Sequence, residues 1–180
     1  MPANQTHTTQ ITHVLHVAAP GGQGARALLR LLMDAGRHLG LTPLSSRSCT
    51  DPQRVRPAHQ AESGTICFSA RGGRPVRVTA VLQPNLMHLA AEGILLVNSR
   101  EPICSETVCS VDADGIARDL GIPAYLPMIG AIARLAGWTD LERIKAFVRL
   151  ALEDTAPYWV GAGLDGVESG FRSVSVQAAA

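Results

Sequence analysis

Three glycines after the first apolar segment are the feature of this chain with the clearest chemical use. Residues 11–19 read ITHVLHVAA, and Gly21, Gly22, Gln23 and Gly24 then lead into leucines at helical spacing. The first turn of a helix presents free N–H groups and a partial positive charge, and glycine lets an anion approach the backbone. The sequence therefore predicts a strand–loop–helix turn that suits a phosphate or a carboxylate. The alternative is a turn that needs glycine only for its backbone angles.

The same loop matches part of the dinucleotide-binding fingerprint. Gly22 and Gly24 supply the first half of G-x-G-x-x-G, and Ala27 takes the third position, where alanine is an accepted substitute. The acid that would hold a ribose is missing, because residues 44–46 in the second predicted strand are Leu-Ser-Ser. A stand-alone nucleotide-binding module, or an NAD(P)-dependent dehydrogenase, is therefore an alternative that rests on the glycine loop alone.

The other reactive side chains do not form a recognisable site. His13 and His16 lie three apart on a predicted strand, so they face opposite sides and cannot share a metal ion. No lysine follows the glycines as in a P-loop, and no G-x-S-x-G elbow occurs. The four cysteines lack the C-x-x-C spacing of iron–sulfur and zinc sites, and free thiols are expected. They are Cys49, Cys67, Cys104 and Cys109.

Two basic segments are further candidates for contacts to an anion or to an anionic partner surface. Residues 50–63 contain two prolines and little apolar material, which predicts a long exposed loop, and such loops are often functional. The second segment is a predicted hairpin turn at residues 71–75. Ordinary solvated charge is the alternative for each side chain. The side chains are Arg54, Arg56 and His59 in the loop, and Arg71 and Arg74 in the turn.

Composition limits the classes of protein that remain. The chain has 180 residues, of which 46% are hydrophobic and 17% charged, with a net charge of +1. This predicts a single domain over residues 11–175, flanked by disordered tails at 1–10 and 176–180. The low charge argues against nucleic-acid binding and favours a surface partly covered by partners. The sequence contains no apolar run long enough for a membrane span and no signal peptide, so we expect a cytoplasmic protein.

Strands alternate with helices along the chain, which predicts an α/β fold. The expected architecture is a three-layer, Rossmann-like sandwich with a mostly parallel sheet and one antiparallel hairpin, formed by residues 65–70 and 76–82. Asp112 and Asp114 begin a predicted helix, where capping and the helix dipole explain them better than a metal pair does. The predicted strands are 11–19, 41–48, 65–70, 76–82, 93–99 and 106–111, and the predicted helices are 25–39, 84–92, 112–120, 127–136, 139–152 and 156–172.

Four segments in this order resemble the gamma subunit, or gamma domain, of 2-oxoacid:ferredoxin oxidoreductases of the pyruvate and 2-oxoisovalerate synthase type. Residues 21–25, GGQGA, are similar to the family's GGQGV, and residues 93–99, GILLVNS, to its G-G-x-L-x-x-N-S strand. Val111-Asp112-Ala113 with Ile116-Ala117 is similar to V-D-A-T-x-I-A. Met128 to Ala131, MIGA, followed by Gly137 and Leu141-Glu142, is similar to the M-L-G-A helix and the capped helix after it. In the loop after the second strand, Pro52 and Arg54 are kept but the family's paired glycines are not, which marks a divergent member.

The resemblance implies a noncatalytic subunit of a complex that oxidatively decarboxylates a 2-oxoacid to an acyl-CoA. It implies that thiamine diphosphate, Mg²⁺ and 4Fe-4S clusters lie on alpha, beta and delta-type partner subunits, with ferredoxin or another acceptor serving the complex. It also implies that this chain holds no cofactor alone, and that CoA can bind at its interface. The candidate contacts to CoA or a partner are then Gly21, Gly22, Gln23, Gly24 and Arg54.

Overall fold

The computed structural model describes residues 10–20, 24–50, 61–71, 75–89, 93–103, 105, 107–137 and 139–174. In these ranges six strands form one mixed sheet in the order β2-β3-β1-β4-β5-β6. Strands β1, β4, β5 and β6 are parallel to one another, whereas β3 runs antiparallel to both β1 and β2. The strands are β1 Gln10–Pro20, β2 Thr42–Thr50, β3 Ala61–Arg71, β4 Arg77–Val81, β5 Ile94–Asn98 and β6 Val108–Val111.

Helices pack mainly on one face of this sheet. That face is apolar, because Leu15, Val17, Leu96 and their neighbours in the same alternation join the larger core with α1 and α3. On the other face, Ala18 and the alternate residues of β4 and β5 form a smaller cluster with Leu86 of a 3₁₀ helix. The helices are α1 Ala25–His38, α2 Ala113–Leu120, α3 Tyr125–Ala136, α4 Leu141–Thr155 and α5 Val160–Ser173, with 3₁₀ turns at Pro84–Leu89 and Pro157–Trp159.

The helix ends follow the capping residues in the sequence. The side chain of Asp112 accepts a hydrogen bond from the N–H of Gly115 at 2.8 Å, and that of Asp140 accepts one from Arg143 at 2.8 Å. Gly121 and Gly137 end α2 and α3 in the left-handed conformation, which only glycine adopts without strain. Asp112 is therefore a cap, as predicted, and Asp140 is the cap of α4.

Helices α3 and α5 approach unusually closely because glycines face each other across the contact. A Cβ placed on Gly130 would lie 1.9 Å from the carbonyl oxygen of Val167. One placed on Gly170 would lie 1.9 Å from the carbonyl oxygen of Pro127. These positions therefore have no room for a side chain, and the two backbones are in direct contact.

The structure confirms the α/β class and corrects the position of the antiparallel hairpin. The predicted partners, residues 65–70 and 76–82, form parts of β3 and β4, but these strands do not pair with each other. β1 lies between them, and the antiparallel hairpin is β2–β3 instead. The predicted tails at 1–9 and 176–180 lie outside the described residues, while Gln10, placed in the tail by prediction, opens β1 opposite Arg71.

Candidate functional site

A pocket of about 350 Å³ lies at the carboxyl ends of the parallel strands. Residues at the ends of three adjacent strands line it. Gly24 follows β1, Leu82 and Gln83 follow β4, and Asn98 is the last residue of β5. Because these strands are parallel, their carboxyl ends meet at one edge of the sheet. The remaining lining residues come from helix starts: Asp114 of α2, and Pro123, Ala124 and Tyr125 at the start of α3.

The pocket also lies at the point where the connections leave the sheet on opposite faces. After β1 the chain enters α1, whose Leu28 and Leu32 pack in the larger core. After β4 it enters the 3₁₀ helix, whose Leu86 packs on the opposite face. Such a switch point opens a crevice outside the strand ends, and ligands of open α/β sheets bind there. This pocket is therefore the candidate site.

Asn98 fixes one wall of the pocket. Its side chain is 4% exposed, and its Oδ1 accepts hydrogen bonds from the N–H groups of Ala113 at 2.9 Å and Asp114 at 3.3 Å. Its Nδ2 donates to the carbonyl oxygen of Leu82 at 3.1 Å. One amide thus joins the ends of β4 and β5 to the start of α2. Together with the Asp112 cap on Gly115, it engages the N–H groups of Ala113, Asp114 and Gly115, which are therefore not available to an anion.

The start of α1 is different. Gly24 is its N-cap residue with φ +88°, and no side chain among the described residues caps the helix. The first turn carries no acidic residue. The N–H of Leu28 donates to the carbonyl oxygen of Gly24, so the N–H groups before it have no partner within the helix. The positive end of the α1 dipole therefore lies at the pocket, which Gly24 lines.

Tyr125 lies against Gly24 and narrows the same wall. A Cβ on Gly24 would come within 2.9 Å of Cδ1 of Tyr125. Burial raises the pKa of the Tyr125 phenol, with a smaller contribution from the nearby Tyr158. The phenol therefore keeps its proton across the physiological pH range and can act as a hydrogen-bond donor.

The sequence-predicted contact residues are only partly placed. Gly24 lines the pocket. Gly21, Gly22, Gln23 and Arg54 lie outside the described residues, as do most of the long loop and the centre of the 71–75 turn.

Sequence reasoning did not single out Asn98, Gln83, Asp114 or Tyr125 as pocket residues. Asn98 lies at the carboxyl end of β5, and Gln83 follows the carboxyl end of β4. The rule that ligands of α/β sheets bind outside the carboxyl ends of the strands could therefore have identified both residues.

The remaining reactive groups do not form a second site. His13 and His16 alternate to opposite faces of β1, as predicted, and burial lowers the pKa of each imidazole. His16 pairs with the Thr65 hydroxyl at 2.9 Å. Neither Cys67 nor Cys109 forms a disulfide. Within the described ranges, no group of three or more His, Cys, Asp or Glu side chains could hold a metal ion, and no helix is both long and apolar enough to cross a membrane.

Comparison with solved structures finds proteins of the same fold. A pyruvate oxidoreductase subunit, PORC, from Thermotoga maritima superposes with a TM-score of 0.70 at 23% identity, covering 92% of this chain and 98% of that one. The gamma subunit of a keto/oxoacid ferredoxin oxidoreductase from Geobacter sulfurreducens gives 0.67 at 17% identity, covering 89% and 97%. A 2-oxoglutarate:ferredoxin oxidoreductase from Magnetococcus marinus, solved with 2-oxoglutarate, coenzyme A and succinyl-CoA bound, gives 0.67 at 12% identity.

The match to the Magnetococcus marinus protein includes 89% of this chain but only 30% of the length of that protein. By sequence, no family profile and no curated protein matches this chain at a significant level. The structural likeness therefore confirms the resemblance at the level of the fold: the chain has the α/β fold of these oxidoreductase gamma subunits over nearly its whole length.

Proposed function

We propose that this chain is the gamma subunit of a cytoplasmic, multi-subunit 2-oxoacid:acceptor oxidoreductase, which oxidatively decarboxylates a 2-oxoacid to an acyl-CoA. The observation that supports this most strongly is the convergence of the family-like segments on one pocket. Gly24 comes from the first segment, Asn98 from the second and the start of α2 from the third, and the fourth lies in α3, whose first residue is Tyr125. Segments more than 100 residues apart in sequence thus meet where a ligand binds in this class of sheet.

In this proposal the pocket receives part of CoA. The start of α1 suits a phosphate, because the helix dipole favours negative charge there and its first turn carries no acidic residue. A pocket of about 350 Å³ is near the small end of the range for drug-sized ligands, roughly 300–1,000 Å³. It is therefore too small to enclose all of CoA, so the remainder would contact the partner subunits, and Arg54 stays a candidate contact by sequence.

The chain acts without catalytic side chains of its own. Its pocket contains one carboxylate, one phenol and two amides, with no nucleophile paired to a base and no metal-binding group in the described part. Thiamine diphosphate with Mg²⁺ and the 4Fe-4S clusters belong to the alpha, beta and delta-type partners, and ferredoxin or a related acceptor takes the electrons. This subunit supports the assembly and helps to position CoA.

The alternative, a stand-alone nucleotide-binding module or NAD(P)-dependent dehydrogenase, is disfavoured by the strand order. In a dinucleotide fold the strand beside β1 is parallel to it and ends in the acid that binds the ribose. Here the parallel neighbour, β4, is followed by Leu82 and Gln83, and the other neighbour is the antiparallel β3. A thermal-shift screen of the chain with NAD, NADP, FAD and CoA separates the two functions, since strong stabilisation by a dinucleotide supports the alternative.

Affinity purification of the tagged chain from its native host tests the proposal directly. We expect mass spectrometry to identify subunits with thiamine- and iron–sulfur-binding sequences, and the eluate to reduce a viologen dye only when a 2-oxoacid and CoA are both present. Trying pyruvate, branched-chain, 2-oxoglutarate and aryl 2-oxoacids in turn identifies the substrate. Recovery of the chain alone, under conditions where the purification of a known complex succeeds, contradicts the proposal.

Substitution of Gly24 tests whether this turn contributes to CoA binding. Gly24→Ala places a Cβ at φ +88° and against the Tyr125 ring, whereas Gly40→Ala imposes similar strain at φ +79° with no atom within 4 Å. Each change costs about 1 kcal/mol of stability through its left-handed backbone. Only Gly24→Ala is expected to weaken CoA binding by the complex, by about tenfold, in an equilibrium titration. Equal CoA affinity in the two variants means that the turn serves the fold alone.

A further inference from the structure

The polar side chains on the wall of the candidate pocket differ in how far the protein itself uses them. The Asn98 amide is hydrogen-bonded to backbone groups through both its oxygen and its nitrogen, and Gln83 also has an interaction within the protein. Asp114 accepts rather than donates hydrogen bonds when it is ionised. Within the described part of the chain, the hydroxyl of Tyr125 makes no hydrogen bond. Among the described lining residues, this phenol is therefore the side-chain donor that remains for a ligand.

Tyr125 is held in place by the turn before α1 and by its own helix. Its ring lies so close to Gly24 that a Cβ there would come within 2.9 Å of Cδ1 of the ring. Residues 126–133, which follow it in α3, are all buried, so the start of this helix is fixed against the core. A donor on a rigid element loses little conformational freedom when a ligand binds. The phenol is thus a preorganised group on the pocket wall.

We propose that Tyr125 is a ligand-contacting residue: its hydroxyl donates a hydrogen bond to an oxygen of CoA bound in this pocket. The inference rests on the proposed function, which assigns CoA to the pocket. CoA carries accepting oxygens in its phosphate groups and in its amide carbonyls, and a phenol can donate to either kind. Burial raises the pKa of Tyr125, so the donor keeps its proton throughout the physiological pH range.

Water is the competing partner for this hydroxyl, because Tyr125 is only partly buried. In that explanation the ring matters through its packing against Gly24, and the oxygen is dispensable. Tyr125→Phe separates the two explanations, since it keeps the ring and removes the hydroxyl alone. The other tyrosine of the chain, Tyr158, is 76% exposed and is not among the lining residues, so Tyr158→Phe makes the same chemical change as a control.

The experiment uses the complex purified through the tagged chain, carrying Tyr125→Phe or Tyr158→Phe. The dissociation constant of CoA, measured by equilibrium titration, is expected to rise about tenfold in Tyr125→Phe, because one hydrogen bond to the ligand is lost. It stays at the wild-type value in Tyr158→Phe. Urea unfolding of the chain gives the same midpoint for Tyr125→Phe and wild type, because the hydroxyl has no hydrogen-bond partner in the described part of the protein.

Competition against CoA by two of its fragments, pantetheine and adenosine bisphosphate, identifies the accepting oxygen. The fragment that contacts Tyr125 loses affinity in Tyr125→Phe by about the same factor as CoA. The other fragment keeps its wild-type inhibition constant. A loss of CoA affinity that neither fragment shares overturns the hydrogen bond, because the change then acts on CoA through the shape of the pocket.

Each result bears on one of the two proposals. Equal CoA affinity in Tyr125→Phe and wild type overturns the role of Tyr125, and so does an equal loss in Tyr158→Phe. A loss of affinity that comes with a lower urea midpoint also overturns it, because the hydroxyl then serves the fold. Wild-type complex that binds no CoA contradicts the proposed function itself, whereas wild-type binding with an unchanged constant in Tyr125→Phe contradicts only the inference about Tyr125.

Discussion

Replacement of Gly130 or Gly170 by alanine is expected to destabilise the protein by about 2–4 kcal/mol. In each case the new methyl group would lie 1.9 Å from a backbone carbonyl oxygen of the facing helix, and backbone cannot rotate away as a side chain can. Helices α3 and α5 must therefore separate, which loses packing along their contact and exceeds the gain of about 1 kcal/mol in helix propensity. For a domain of this size we expect a fall in melting temperature of roughly 6–12 °C.

Helix α5 also contains a control position, at which the same substitution is expected to stabilise the protein. Gly161 lies in α5 and is exposed, with no atom within 4 Å of its Cβ position. Gly161→Ala should stabilise the chain by about 0.5 kcal/mol, because it removes conformational freedom from the unfolded state without a clash. Urea unfolding followed by circular dichroism measures all three variants. If Gly130→Ala and Gly170→Ala have the same urea midpoint as the wild type, the backbones of α3 and α5 are not in close contact.

The sequence predicted most elements because their signals are local. The leucine spacing of α1, the Asp112 cap and the glycines after α2 and α3 each act within a few residues of where they stand. Helix α5 was also predicted, at residues 156–172, although its glycines weaken the helical pattern. The glycines of α5 make room for atoms of neighbouring elements, and the sequence of one segment does not reveal which neighbour it contacts. These glycines are Gly163, Gly166 and Gly170.

The hairpin was misplaced for a related reason. Glycines and a proline between two β-rich segments are typical of a tight turn, yet β3 and β4 both pair with β1 instead. The burial of β1 on both faces, with Val17, Ala18 and Ala19 at 0% exposure, places it in the centre of the sheet. A central strand needs two partners, and β3 and β4 supply them on opposite sides, while β2, which is nearer in sequence, pairs only with β3. Strand pairing is thus decided by burial across the whole sheet, which local turn residues do not encode.

The candidate site was predictable in position but not in its polarity. A glycine loop after β1 and an asparagine at the end of β5 indicate one edge of a parallel sheet. The sequence does not tell that Asn98 engages the N–H groups of Ala113 and Asp114 in α2, since this depends on the side-chain direction of one amide.

Removal of the Asn98 amide is the second change with a large expected effect. Asn98→Ala leaves the carbonyl oxygen of Leu82 and the N–H groups of Ala113 and Asp114 without their partner, in a position where the side chain is 4% exposed. Each buried polar group that loses its partner costs about 1–3 kcal/mol, and water entering from the pocket offsets part of this. We therefore expect a loss of about 2–4 kcal/mol in the free energy of unfolding, measured by urea denaturation.

Two further variants separate the hydrogen bonds of this amide from its bulk. Asn98→Asp keeps the acceptor for the two N–H groups of α2, where a negative charge is favoured, but it loses the donor to Leu82 and should cost less than Asn98→Ala. Asn85→Ala makes the same chemical change at an exposed position and should alter stability by less than about 0.5 kcal/mol. An equal loss in Asn98→Asp and Asn98→Ala means that the bond to Leu82 dominates, whereas no loss in either contradicts the amide as the link between β4, β5 and α2.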